Sequence, residues 1–186
     1  MKSQPASSSE VKRRSMNALR ICMGLFVTDR NKGIARRIWQ LFSRFSWELP
    51  QTVIGWLFAE LRNVFGTINR VDFVGGATYV VNEHWRQGGT QGVSLGCFIN
   101  IDSHCEACFD QLFMHEYGHY IQSQHWGLLY LFLIGIPSLA NCIHDRIRHS
   151  CTHDTFYTET SANRKAKNYF GRHYGSEWDD TGYPLT

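Results

Sequence analysis

The segment His115-Glu116-Tyr117-Gly118-His119 sets two histidines four residues apart, with a glutamate directly after the first. On a helix this spacing puts both imidazoles on one face, one turn apart, where they can reach a single ion. Glu116 then lies about 100° further round the axis, so its carboxylate can meet a water at the ion without taking a coordination position. Chance would give the pattern HExxH in roughly 2% of chains of this composition. The context argues against chance: Leu112, Phe113, Tyr120 and Ile121 give the segment an apolar helical period, and two idle buried histidines beside a glutamate would be costly to desolvate. Zinc suits imidazole and carboxylate ligands and, with three protein ligands, keeps one tetrahedral position open.

A third ligand must come from further along, where His125, His144, His149, His153, Glu159 and His173 are available. His125 has the spacing of an extended HExxHxxGxxH site, but Gln122 stands where that site has its turn glycine. A helix running on to about Gln124 would also point His125 away. Glu159 is the better candidate. It opens Glu159-Thr160-Ser161-Ala162-Asn163, and Ala162 and Ala166 share its helical face, small residues that let a second helix approach closely. A solvated surface carboxylate is the competing reading. Asn163, one turn on, could accept the free ring N–H of His115 or His119 and fix its tautomer.

HEYGH followed by ETSAN resembles the gluzincin form of zinc metallopeptidase, in which HExxH is completed by a glutamate on a later helix. The resemblance implies His115, His119 and Glu159 as Zn2+ ligands and Glu116 as general base. The family's later motif is ExxxD, and here Asn163 replaces the aspartate; an amide is the weaker acceptor. More widely, HEYGHYIQSQHWG, LYLFLIGIPSL and FYTETSAN are similar to a group of small, mostly uncharacterised bacterial metallopeptidase-like proteins, over about Val93 to Asn163. The implied substrate is a peptide or protein, held by strand addition along the edge of Ser94–Ile101. The implied chemistry is attack of an activated water on a polarised carbonyl, with Glu116 moving the proton to the departing amine. An oxyanion donor is also expected. His153 and Tyr157 flank the ligand helix, and Tyr157 lies about 200° round it from Glu159, which leaves His153 as the candidate against a merely capping or surface histidine. A noncatalytic zinc-containing module that binds a partner through basic N-terminal helices is the alternative function. Glu116 argues against it, because a structural site has no use for a base.

Several elements must position these groups. Helices are expected over Ile34–Phe45, from Glu48–Pro50 to a stop at Gly66, over roughly Phe109–Gln124, and over Thr155–Phe170. Leu128–Ala140 reads as a loop-rich apolar piece followed, after Pro137, by a short helix. Ile68–Val81 holds two β-rich runs split by Gly75-Gly76. In Val93–Ile101, alternation of Val93, Leu95, Cys97, Ile99 and Ile101 with Ser94, Gly96, Phe98 and Asn100 predicts one half-buried strand. Gln87–Gly92 reads as a hairpin loop, and without a lysine in Walker spacing it does not suit phosphate. In the helix over Ile34–Phe45, Ile34, Ile38, Leu41, Phe42 and Phe45 form an apolar stripe, with Arg36, Arg37 and Arg44 on the other side as a solvated face.

The chain's 186 residues allow one sizeable core. The expected fold is α+β: a minimal zincin-like core in which a small mixed sheet carries the active-site helix and a downstream glutamate helix, plus N-terminal amphipathic helices. Residues 31–186 form that domain, after a polar, basic and partly disordered extension over residues 1–30. With 43% hydrophobic and 19% charged residues, global disorder is excluded. The net charge of +3 is modest but unevenly distributed, with ten of the 19 Lys and Arg residues crowded into the first quarter. This quarter could touch an acidic surface or an anionic membrane, and nucleic acid is disfavoured. No secretion signal or spanning stretch is read, so the expected location is cytoplasmic, with a membrane-peripheral or exported one as alternatives. The six cysteines are expected as free thiols, and Cys105-x-x-Cys108 lacks the second pair of a metal site.

Overall fold

The computed structural model describes residues 7–83, 92–102, 110–148 and 153–186. The glycine-rich run apart from Gly92, the Cys105–Cys108 pair, His149 and Cys151 lie outside them. The order of elements is α1 (Ser8–Gly24), α2 (Ile34–Arg44), α3 (Leu49–Val64), β1 (Ile68–Val74), β2 (Ala77–Asn82), β3 (Gly92–Leu95), β4 (Phe98–Asp102), α4 (Gln111–Trp126), α5 (Ile136–Arg148) and α6 (Tyr157–Tyr174). The fold is α+β, with one mixed sheet in the order β1-β2-β4-β3. Among the described residues Cys22, Cys97 and Cys142 are free thiols.

β1 and β2 form an antiparallel hairpin, turned at Gly75 and Gly76, whose φ values of 57° and 82° glycine adopts without steric cost. β2 pairs parallel with β4, and β3 pairs antiparallel with β4. The single strand expected over Val93–Ile101 is therefore two. Gly96, at φ 58°, reverses the chain, and a Cβ there would strike the Thr52 backbone. β4 is buried at every position, Phe98 and Asn100 included, because it is a central strand covered on both faces. Of the segment expected as one strand, only the β3 part lies at an edge of the sheet, the other edge being β1.

Neighbouring residues of a strand point to opposite faces, and β2 shows what covers each. Thr78 fills the space a Cβ on Gly24 of α1 would need, while the Tyr79 ring meets Phe113 of α4 at 4.8 Å. α1 and α3 thus cover one face and α4 the other, with α6 packed along α4. Part of the expected N-terminal extension is structural, since Ile21 of α1 is buried in the core.

α2 is turned against the expected orientation, and α3 shares the inversion. α2 buries Gln40, Ser43 and Arg44, and Ile34 and Phe42 are 75% and 60% exposed while Arg44 is 1% exposed. α3 likewise buries Gln51, Thr52, Gly55, Ala59 and Asn63 and exposes Ile54, Leu57 and Leu61. Directional bonds hold this arrangement. The Arg44 guanidinium donates to the carbonyls of Gly24, Leu25 and Gly76 and to the Tyr120 hydroxyl. Gln40 donates to Tyr120 and accepts from the Asp29 N–H. Glu48 accepts from Ser43 at 2.6 Å and Ser123 at 2.8 Å.

α4 starts on Asp110, whose carboxylate accepts the Leu112 N–H at 2.8 Å, and stops at Gly127, with φ 52°. The Trp47 ring occupies the place of a side chain there. The expected loop beyond it is helical. A 3-10 turn over Gly127–Leu129 and a π-helical stretch over Leu131–Gly135 lead into α5, and the two helical runs meet at 118°. Pro137 is the second residue of α5. Among the described residues, no single helix is long and apolar enough to cross a membrane.

α4 passes backbone against backbone with α6 at Gly118, where an added Cβ would run into the Ala162 carbonyl. Gly118→Ala should therefore lower unfolding free energy by about 1–3 kcal/mol through overpacking, measured by denaturant titration. An unchanged midpoint would show that the two helices separate freely.

Candidate metal centre

His115, His119 and Glu159 each offer a ligand atom, and the three atoms lie within 4.8 Å of one another. The His119 Nε2 is 3.0 Å and the His115 Nε2 3.2 Å from the same Glu159 oxygen, Oε2. Two elements bring them together. α4 stacks the histidines one turn apart, with ring centroids 4.8 Å apart. α6 begins at Tyr157 after an extended Phe156, so Glu159 stands in the first helical turn, where the helix dipole favours a negative charge. Ala162 and Ala166, both fully buried, give α6 the small face that meets Gly118.

The surroundings orient every donor. The His115 Nδ1 is 2.6 Å from Asn163 Oδ1, and Asn163 donates its amide N–H to the Pro184 carbonyl at 2.8 Å, which fixes Oδ1 as the acceptor facing the imidazole. The His119 Nδ1 is 2.8 Å from Gln122 Oε1, and Gln122 donates to the Thr158 carbonyl at 2.8 Å. Both Nδ1 atoms thus carry a proton, leaving the Nε2 lone pairs for an ion. Glu159 Oε1 accepts from Ser138 at 2.6 Å and Thr158 at 2.7 Å, so Oε2 is the oxygen turned toward the histidines. This donor set fits a metal ion.

The electrostatics agree with the geometry. Burial disfavours the Glu159 charge, but His119 and His115 outweigh it and hold its carboxyl below the ordinary value of 4.5. Burial would likewise lower the His119 pKa, yet Glu159, Glu116 and Gln122 together push it up to about 9. Glu116 lies next to these groups, 6% exposed, and its pKa is raised by burial, with the histidine rings opposing. Gly92, at the start of edge strand β3, touches the Glu116 carboxylate where any Cβ would collide with it. A cavity of about 340 Å³ runs from β3 past Glu116 and Glu159 to Ser138 and Leu139.

His153 lines this cavity. Its Nδ1 is 3.0 Å from Asn141 Oδ1 and its backbone N–H donates to Asp145 at 3.0 Å. Tyr157 instead donates to the Leu133 carbonyl at the surface. His125, His144 and His173 are exposed and belong to no metal-binding group among the described residues. Gln122, Ser138 and the C-terminal segment did not emerge from the sequence. Gln122 carried a signal, since the residue three after His119 on a helix lies beside it. Ser138 and the tail carried none. The Tyr183 ring meets that of His115 at a tilt of 44°, with centroids 5.3 Å apart, and Trp178 donates to the Tyr183 carbonyl, so the tail lies along the rim.

Compared with models of protein families, with curated proteins and with solved structures, the chain matches none. The site's own chemistry carries the reading.

His119 binds its proton more tightly in the folded chain than in the unfolded one. In the metal-free protein its contribution to stability is therefore full below its ordinary 6.5 and lost as pH rises through about 9. Glu159, lowered from 4.5, contributes above that value and loses its contribution on acidification. Thermal midpoints of the metal-free protein should thus fall as pH is raised from 6.5 to 9. An ion taking the Nε2 position should release about one proton at neutral pH, read by calorimetric titration in buffers of differing ionisation enthalpy. A midpoint that climbs through this range, with no proton released, would contradict the assignment.

Proposed function

We propose that the chain is a zinc-dependent hydrolase acting on peptide bonds, built on a minimal zincin-like core of gluzincin type. The observation that carries the reading is Glu116, a buried carboxylate beside a three-donor cluster that does not need it as a ligand. Two imidazoles and one carboxylate suit zinc in a site with one open position, whereas magnesium or calcium would call for oxygen ligands throughout. When bound, zinc supplies a Lewis acid that polarises a carbonyl and makes a water more acidic.

The chain's own groups do the rest. Glu116, desolvated and raised above its ordinary 4.5, takes a proton from water more readily than a solvated carboxylate and can pass it to the departing amine. Gln122 and Asn163 keep the imidazoles in the tautomer that binds metal. Edge strand β3 lines the cavity and has no strand on its outer side among the described residues, so an extended peptide could add there through backbone bonds. His153, at the cavity wall, is the proposed donor to the developing oxyanion. The likeness of HEYGH and ETSAN to gluzincins supports the same assignment.

Purified protein should hold one zinc per chain by elemental analysis, and His119→Ala or Glu159→Ala should release it. Glu116→Gln should keep the zinc while cutting peptide cleavage by about 10²–10⁴-fold. Equal cleavage by wild type and Glu116→Gln would remove the base. Zinc retention with no cleavage across a broad peptide library would favour the noncatalytic binding module.

A further inference from the structure

α2, α3 and the run from Leu128 to Ile147 share an unusual arrangement: each presents an apolar stripe at helical spacing to the outside. On α2 the stripe is Ile34, Ile38 and Phe42; on α3 it is Ile54, Leu57 and Leu61; on the third it is Phe132, Ile136, Leu139, Ile143 and Ile147, all exposed. In water an amphipathic helix turns such a stripe inward. Here the inward faces of α2 and α3 carry Gln40, Ser43, Arg44, Gln51 and Asn63, and the bonds of Arg44 and Gln40 to Gly76 and Tyr120 prevent α2 from rotating to hide its apolar side. α3 packs against both α2 and the 3-10 turn that leads into the third run.

Charge identifies what covers this face. From Arg30 to Trp47 there is no acidic side chain. Arg37 is exposed on the flank of the α2 stripe, about 100° round from Ile38, Arg30 is exposed just ahead of the helix, and Arg146 and Arg148 are exposed at the end of α5. Trp39 and Trp47, 53% and 39% exposed, stand in the same stretch, and tryptophan favours the boundary between hydrocarbon and headgroups. α2 has 11 residues and α3 has 16, lengths suited to lying in a membrane interface rather than crossing it. A second copy packed through the same face would bring the arginine cluster of α2 near its own image, where like charges repel.

We propose that the outer faces of α2, α3 and residues 128–147 form a docking surface for an anionic lipid bilayer, with the helices in the plane of the interface and the arginines among the headgroups. The surface depends on no bound metal. The cavity wall at Ile136 and Leu139 belongs to the same face, which sets the cavity mouth beside the lipid boundary.

The test uses the full chain, without detergent, in flotation with phosphatidylcholine vesicles and with vesicles containing about 30 mol% phosphatidylglycerol. Binding is expected to the anionic vesicles and to weaken steeply with salt. Arg30→Gln with Arg37→Gln should weaken it about 30-fold, and Ile38→Asp with Phe42→Asp should abolish it. All four side chains are exposed, so circular dichroism and thermal midpoints should stay unchanged and separate lost docking from lost folding. Absence of binding to either vesicle, or equal binding to both, overturns the proposal. So does light scattering that finds a defined oligomer which Ile38→Asp with Phe42→Asp converts to monomers while wild type ignores lipid; the face would then be a protein interface.

Discussion

A carboxylate can meet two imidazoles stacked on one helix only if the helix that carries it comes within side-chain reach, and a glutamate reaches only a few ångströms. Gly118 and Ala162 meet this constraint by letting backbone pass against backbone. Nearly everything else in the centre follows from that approach. With α6 so close, Glu159 has its two oxygens divided between two hydroxyls and two imidazoles. Asn163, one turn on, falls opposite the outer nitrogen of His115. Gln122 spans the same gap from α4 to the Thr158 carbonyl. A wider separation would leave two buried histidines and a buried carboxylate without partners, each costly to desolvate.

Around that contact the molecule is arranged as a succession of supports. The sheet holds α4 through aromatic packing of Tyr79 and Phe113, and Phe113 meets Phe170 of α6. The C-terminal segment closes the outer side, because the amide that orients His115 is itself held by the Pro184 carbonyl, and the adjacent Arg164 binds that of Leu185. Ligand geometry is thus tied to a segment some twenty residues further along the chain.

The centre was more legible than the scaffold, and the reason lies in periodicity. His115, His119, Glu159, Ala162 and Asn163 are related by helical spacing within two short segments, so their shared faces can be read without knowing the fold. Gly118 could not be recognised as the contact point until Ala162 was seen opposite it. Ser138 and Pro184 meet the site through tertiary folding that no local pattern records. In Val93–Ile101 the alternation of a strand was present, yet a single positive φ at Gly96 turned it into a hairpin, since alternation runs unbroken through a two-residue turn. For α2 the stripe was legible and its direction was not: a period identifies two faces, and which one points inward depends on hydrogen-bonding partners such as Tyr120 that lie 76 to 80 residues away.

The inverted α2 and α3 also bear on how stability varies with temperature. Exposing apolar surface on unfolding raises heat capacity and exposing polar surface lowers it. Here many apolar side chains of these helices already face outward in the folded chain, while amides, a guanidinium and a carboxylate are taken from water. The heat-capacity increment in aqueous solution should consequently fall below the usual value of about 12–15 cal/mol/K per residue. The curve of stability against temperature is then flat, and cold weakens this fold less than it weakens one held mainly by buried hydrocarbon.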